Sequence, residues 1–247
     1  LGQNFAKVFE IRFQARDKSM QYVWQTSWGM TTRLIGGVIM THGDDSGLIL
    51  PPRVAPTQVI LIPIPRGDWK ETVLPKAQEI AAALRDEGVR VEIDDREEYK
   101  PGWKFSEWEL RGVPLRLEIG PKDIEQSQVV LVRRDTREKI PTPMKGLSTQ
   151  VTQLLETIQA ALFERAITFR ENHTHRTDSK EEFVSLFKGR PGYVVAPWCG
   201  GKECEVKIKE ETQATIRNIP FDAASSEGSC ISCGEASYSD AYFAKSY

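Results

Sequence analysis

The sequence predicts a multidomain protein that is α+β at its two ends and α/β between them, and three observations predict it. Near the start, alternating runs on either side of a charged turn, Ala15 to Ser19, predict an antiparallel hairpin with strands over Val8–Phe13 and Met20–Thr26. From Thr57 onward, apolar runs of strand length alternate with segments whose apolar residues recur at helical spacing. Near the C-terminus stand two close pairs of cysteines, Cys199 with Cys204 and Cys230 with Cys233.

The chain has 247 residues, enough for one large or two to three small domains. With 40% apolar and 28% charged residues it has the make-up of an ordinary globular protein. No apolar run approaches the roughly 18 residues that span a bilayer, and Leu1-Gly2-Gln3-Asn4 is no signal peptide, so a soluble intracellular protein without a membrane partner is expected. The net charge of −2 excludes non-specific nucleic-acid binding by bulk charge, so any RNA contact is local and no DNA partner is expected. The opening is not a methionine and leads straight into strand-like sequence, which suggests a start inside a larger protein.

After the hairpin, Gly29, Thr31 and Arg33 followed by Leu34 to Met40 read as a strand delivering an arginine into a helix packed through Gly36 and Gly37. An arginine so held can lay its guanidinium on an adenine face and pair with phosphate oxygens. It can equally be the lone charge of a buried strand and helix, snorkelling to solvent, and the pattern alone does not decide. His42 with Asp44 and Asp45 could bind a metal, although a structural role at the helix end is the commoner use of such residues.

Three prolines between Pro51 and Pro56 read as a stiff extended linker and a domain boundary. Beyond it, Val59–Ile64 reads as a buried strand and Trp69–Glu87 as a helix with Val73, Ala77, Ile80, Ala81 and Leu84 on one face. Gly88 ends that helix, and Val89–Asp94 alternates as a strand. A short aromatic helix over Pro101–Leu110 follows, then a strand over Pro114–Gly120, a loop at Pro121-Lys122-Asp123 and a strand over Gln128–Arg134. A long helix keeps Leu147, Val151, Leu154, Leu155, Ile158, Ala161, Leu162, Ala166 and Phe169 on one face. The expected plan is a mostly parallel sheet covered by helices on both faces. His173 to Asp178 reads as a polar linker with solvated histidines, followed by a short helix around Phe183 to Phe187 and a strand over Tyr193–Ala196.

Two clusters carry chemistry. Trp103, Phe105 and Trp108, with Glu109, Arg116, Lys122 and Asp123, offer the mixture that reads unstacked RNA bases: planar stacking surfaces, carboxylate acceptors and cationic donors, with Lys104 and Arg111 near phosphates. The bland alternative makes the aromatics core and the charges a solvated rim. Nine Lys or Arg against seven Asp or Glu between Lys100 and Lys139 is too small an excess to argue from. The cysteine pairs, separated by 25 residues, have the pattern of four thiolates converging on one structural zinc. Free or disulfide-bonded thiols, or a redox Cys230-Ile231-Ser232-Cys233, are the alternatives, the last fitting poorly with Gly234 and the polar residues beyond.

Gly29-Met30-Thr31-Thr32-Arg33-Leu34-Ile35-Gly36 resembles the third signature motif of class II aminoacyl-tRNA synthetases. Met40-Thr41-His42-Gly43-Asp44-Asp45 and Leu50-Pro51-Pro52 are similar to its continuation in prolyl-tRNA synthetases. Gly102 to Phe105, Trp108 to Leu110, Gly112 to Arg116 and Glu118 to Asp123 resemble that family's anticodon-binding domain, and the cysteines with Tyr242 to Tyr247 its C-terminal zinc domain in archaeal and eukaryotic-type members. The resemblance covers nearly the whole chain. It implies ATP, used with Mg2+, at Thr31 and Arg33, with Arg33 stacking on the adenine. It also implies recognition of the two guanines shared by proline anticodons at Glu109, Arg116, Lys122 and Asp123, and structural zinc at Cys199, Cys204, Cys230 and Cys233. The terminal carboxylate of Tyr247 is expected to reach back towards the catalytic domain.

The expected division is the end of a class II antiparallel catalytic domain over 1–56, an α/β anticodon-binding domain over 57–170 and a small α+β zinc domain over 171–247. The resemblance implies proline, ATP and tRNA(Pro) as partners, a homodimer in the complete enzyme, and a cytoplasmic or organellar location. Motifs 1 and 2 and the proline-pocket histidine loop lie outside this sequence, so the chain alone is expected to be inactive. A stand-alone tRNA-binding or interaction module, and a thiol oxidoreductase, remain the readings from other classes.

Overall fold

The computed structural model describes residues 1–189, 191–221 and 228–245. The chain opens with helix α1 (Asn4–Val8) and a hairpin of β1 (Arg12–Gln14) and β2 (Met20–Tyr22), paired antiparallel with Arg12 opposite Tyr22. The strand expected from Val8 begins later because Glu10 takes a left-handed backbone (φ 51°) and the Ile11 N–H turns back to the Ala6 carbonyl. The second strand stops at Tyr22, beyond which Gln25 keeps only an isolated bridge to Gly2.

Helix α2 (Arg33–His42) forms as expected, but no strand leads into it over 27–32. The expected close packing through paired glycines is also not observed. A methyl group on Gly36 or Gly37 would meet nothing within 4 Å, and Leu34, Ile35, Ile39 and Met40 are exposed. The helix therefore presents an apolar surface that no described residue covers.

The proline-rich stretch after it is a strap rather than a free spacer. Leu48 and Leu50 donate to the carbonyls of Leu110 and Gly112, Ile49 and Ala55 are buried, and Arg90 reaches back to the carbonyls of Pro52 and Ala55.

The middle of the chain runs β3 (Val59–Pro63), α3 (Trp69–Asp86), β4 (Val91–Ile93), α4 (Pro101–Leu110), β5 (Leu115–Ile119), α5 (Pro121–Glu125), β6 (Gln128–Arg133), β7 (Lys139–Pro143) and α6 (Leu147–Asn172). The sheet order is β4-β3-β5-β6-β7, parallel among the first three strands and antiparallel in the last two steps. The mostly parallel plan therefore holds for only part of the sheet, because the short α5 connection after β5 and the tight turn after β6 each return the chain antiparallel instead of through a long crossover. The loop expected at Pro121-Lys122-Asp123 is a helical turn, with proline at its first position and the Asp123 carboxylate accepting the Gly120 N–H at 2.8 Å.

Helices cover both faces. Val73, Ala77, Ile80, Ala81 and Leu84 of α3 and Leu147, Val151, Leu155, Ile158 and Leu162 of α6 share one core with Val59, Leu61, Leu115, Leu117 and Leu131. On the other face Ile60, Ile62 and Val113 lie under Trp108 of α4. Each fully buried aliphatic side chain contributes about 1.5–3 kcal/mol, and together these fix the sheet edges from which charged side chains project.

The last part comprises β8 (Thr174–Arg176), α7 (Lys180–Leu186), β9 (Tyr193–Trp198), α8 (Lys202–Thr212), β10 (Ala214–Asn218) and β11 (Ser239–Lys245). Its sheet order is β10-β11-β9-β8, with β8 parallel to β9 and the other pairs antiparallel. The linker expected over His173 to Asp178 thus contains an edge strand, and His173, exposed as expected, stacks on Phe169 at 4.0 Å. The expected reach of the Tyr247 carboxylate lies outside the described residues. No helix among the described residues is long and apolar enough to cross a membrane.

Candidate functional site

The charged residues of the middle sheet converge where the end of α4 meets the β6–β7 turn. Glu109, Arg116, Arg133, Arg134, Arg137 and Lys139 line a cavity of about 130 Å³ over an apolar floor of Ile60, Trp108, Val113 and Val132. Arg116 projects from β5, its guanidinium 4.2 Å from the centre of the Phe105 ring and its Nε donating to Glu118 Oε1 at 2.9 Å. Glu109, at the last turn of α4, faces Arg137 Nε at 3.4 Å. Over an apolar floor a carboxylate can accept from the amino and imino groups of a base, and the planar guanidinium groups beside it can donate to carbonyl and ring-nitrogen acceptors.

Lys122 and Asp123 do not line this cavity. They lie past the other end of β5, where Lys122 is exposed and Asp123 caps its own helix. Lys104, expected near phosphates, is instead buried: its Nζ donates to the Asp94 carbonyl at 2.9 Å and lies 3.5 Å from the Asp94 carboxylate. Asp94 is the hub beneath α4, taking a paired contact from Arg96 and the Trp108 Nε1–H at 2.8 Å. Burial opposes its charge, but these donors and Lys104 hold its carboxyl well below the usual range. Trp108 is therefore core, as the bland reading had it, while Trp103 stays half exposed and stacks on Tyr99 at 3.8 Å. Arg111 lies over Trp108 and pairs with Glu107.

Arg133, Arg134, Arg137 and Lys139 were not singled out from sequence. Their signal was the run Arg133-Arg134-Asp135-Thr136-Arg137-Glu138-Lys139, which a tight turn between two strands folds onto one edge. Asp135 and Glu138 within the run hide it from any charge count.

The four cysteines come together although two follow β9 and the others lie in a loop before β11. All four Sγ atoms lie within 4.8 Å of one another, with Cys199 3.6 Å from Cys204 and 3.9 Å from Cys233. These separations are far beyond an S–S bond of about 2.05 Å. They agree with the edges of about 3.8 Å of a tetrahedron built on Zn–S bonds near 2.3 Å. Burial pushes the Cys204 thiol up to about 12. At Cys230 burial pulls the same way but is outweighed by the backbone N–H groups of Cys233, Ser232 and Cys199, which bring it down to about 7.

Thr31 and Arg33 sit at the start of α2, where the Thr31 hydroxyl accepts the Arg33 N–H at 3.3 Å. With Gly36 and Met40 they line an open groove of about 1070 Å³ whose other wall includes Tyr193, Arg217 and Lys245. Asp44 is engaged by Arg134, so it is not available to form a cation site with His42, whose partial burial and neighbour Arg165 favour the neutral form.

Residues 58–154 match a family model described as the anticodon binding domain, and residues 180–247 one described as prolyl-tRNA synthetase, C-terminal. Over its whole length the chain is 49% identical to a proline–tRNA ligase of Natranaerobius thermophilus, covering 51% of that protein. It is 50% identical to one of Lachnoclostridium phytofermentans, covering 50% of it, and 47% identical to proline–tRNA ligase 2 of Clostridioides difficile, covering 51%. The chain belongs to the prolyl-tRNA synthetase family. It spans about half the length of the curated relatives it matches. Within this prolyl-tRNA synthetase portion, the first match runs from the residue before β3 into α6 and encloses the charged cavity, and the second encloses all four cysteines.

Proposed function

We propose that this chain supplies ATP contacts, anticodon recognition and a structural zinc site to a proline–tRNA ligase that activates proline with ATP and transfers it to tRNA(Pro). The observation that carries the reading is the shared cavity of Glu109 and Arg116, set among further cations inside the segment that matches the anticodon-binding model. Glu109 accepts from the donor edge of one anticodon guanine, and Arg116, kept flat by Phe105, addresses acceptor atoms of the other. Lys122 and Asp123 complete recognition from the far end of β5.

In this reading residues 1–56 end a class II catalytic domain in which Thr31 and Arg33 contact ATP, which is used with Mg2+, residues 57–170 bind the anticodon, and 171–247 form a zinc domain. The catalytic assignment is supported by the groove at the start of α2 and by the exposed apolar face of that helix, which suits packing against further catalytic sheet. Zinc is supported by the sulfur separations. Four thiolates leave no open coordination position, so the metal would crosslink the loop before β11 to the end of β9 and carry no reaction.

The test is binding of the chain to a tRNA(Pro) transcript and to one with both anticodon guanines replaced, at a single salt concentration. A loss of about 1–3 kcal/mol per base is expected. Equal binding to both transcripts would remove the anticodon role of Glu109, Arg116, Lys122 and Asp123. The chain on its own is expected to show no proline-dependent pyrophosphate exchange.

A further inference from the structure

The end of α4, which carries Glu109, is spliced to the exit of α2, which carries Arg33. Leu48 and Leu50 pair through their backbone with Leu110 and Gly112. The approach is as close as a backbone allows. A Cβ on Gly47 (φ +130°) would fall 2.5 Å from the Leu110 carbonyl oxygen, and one on Gly112 (φ +76°) 2.5 Å from the Leu48 Cβ. Across this splice two arginines of the β6–β7 turn hold both sides at once.

Arg134 is the fixed member. Its side chain is only 3% exposed, its Nε donates to the Glu109 carbonyl at 2.9 Å, and its two terminal nitrogens fork onto the Asp44 carboxylate at 2.9 and 2.6 Å. Arg137 is the movable member. It is 59% exposed, and its Nη2 donates to Ser46 Oγ at 2.6 Å. It shares its charge between Glu109, 3.4 Å away, and Asp44, 3.5 Å away.

We propose that Arg137 is a positioning residue that couples capture of a base at Glu109 to the catalytic segment, through Asp44 and Ser46. This rests on the anticodon reading above. When the donors of a guanine take the Glu109 carboxylate, Arg137 loses part of its hold there and its charge falls fully on Asp44 and Ser46. That tightens the exit of α2, a ten-residue helix about 15 Å long whose first residue is Arg33. Arg134 keeps Asp44 in place while Arg137 redistributes, so the two arginines act as pivot and arm. A ligand moves such an equilibrium only through its differential contacts, and here the contested contact is the Glu109 carboxylate.

The test uses the full-length enzyme carrying this chain, as parent, Ser46→Ala and Asp44→Asn. Each is assayed for aminoacylation of tRNA(Pro) transcripts with the native anticodon and with both guanines replaced. In the parent the replacement is expected to lower kcat and raise KM. In both variants the kcat part of that penalty shrinks by about fivefold or more, the lower range of coupling between sites, and the KM part stays. Pyrophosphate exchange without tRNA is unchanged in Ser46→Ala. A kcat penalty equal to the parent's in both variants overturns the coupling and leaves the anticodon reading intact. A parent indifferent to the replacement overturns the anticodon reading and the coupling with it. Loss of tRNA-free exchange in Ser46→Ala makes the contact merely structural and also overturns the coupling.

Discussion

The middle sheet and the C-terminal sheet are built from similar strands and hold themselves together differently. The middle one packs two long helices on one face and α4 on the other, and its buried aliphatics span nearly every element. The C-terminal one has a smaller core centred on Phe183, Phe187, Ile208 and Phe243, and its loop through Cys230 and Cys233 belongs to no helix or strand. Among its described residues that loop is fastened mostly by bonds within itself, such as Cys230 N–H to Glu235, Gly234 N–H to Cys230 and Ser237 N–H to Gly228, and to β9 by Ile231 N–H to the Pro197 carbonyl and Tyr238 N–H to the Trp198 carbonyl. Where apolar burial is plentiful the fold needs no crosslink, and where it is thin the cysteines gather.

The sharpest way to break this comparison is to test the zinc proposed at the four cysteines. Structural zinc supplies on the order of 10 kcal/mol to domains that depend on it. Chelation, or Cys204→Ala, should therefore abolish amide-exchange protection over β9, β10 and β11 while the amides of β3 and β5 keep theirs. Full protection of both sheets after chelation would mean that the smaller core suffices and that the contrast is not energetic.

The next largest effect belongs to the middle sheet. Asp94→Ala leaves Lys104, only 3% exposed at its side chain, without its carboxylate, and breaking a buried pair in this way costs about 3–5 kcal/mol. The denaturation midpoint of the middle sheet should fall accordingly, with the C-terminal transition unmoved. Acid gives a second readout. Because the folded carboxyl titrates below its ordinary value of 3.8, Asp94 contributes stability above that pH and loses it as pH falls further. Asp94→Asn should flatten the stability curve below about pH 4. A variant curve parallel to the parent's would show that the hub carries no net charge stabilisation.

The two sheets also differ in how legible they were. Helix periodicity gave α3 almost to the residue and the buried face of α6 through Leu162, because these positions recur along one face of each helix, whereas Ala161 and Phe169 of the expected α6 face are exposed. The elements that escaped include helices α1 and α8, the inner strand β11, and edge strands whose partners lie outside the local pattern. In β7, Pro141 and Pro143 argue against a strand, yet an edge position needs few of the lost N–H groups. In β8, Thr174, His175 and Arg176 show no apolar alternation, and pairing with β9 alone decides them. Cysteine spacing located the thiolate cluster because tetrahedral geometry constrains spacing directly. Lys104 misled because its partner Asp94 stands on another element, and no local pattern distinguishes a buried lysine from a solvated one.

The smallest effect tests whether the two sheets unfold separately at all. Ser179 caps α7, its Oγ accepting the Glu182 N–H at 3.3 Å, and replacing such a cap by alanine costs about 1 kcal/mol. The helix delivers Phe183 against Phe187 and Phe243, with ring centres 5.0 and 5.2 Å apart, so the loss falls on the smaller core. If the comparison holds, Ser179→Ala lowers the C-terminal midpoint of the metal-loaded protein and leaves the middle sheet where it was. If instead both transitions move together by the same amount, the strap and α6 bind the sheets into one cooperative unit. The cysteines would then stabilise the whole chain rather than its thinner end.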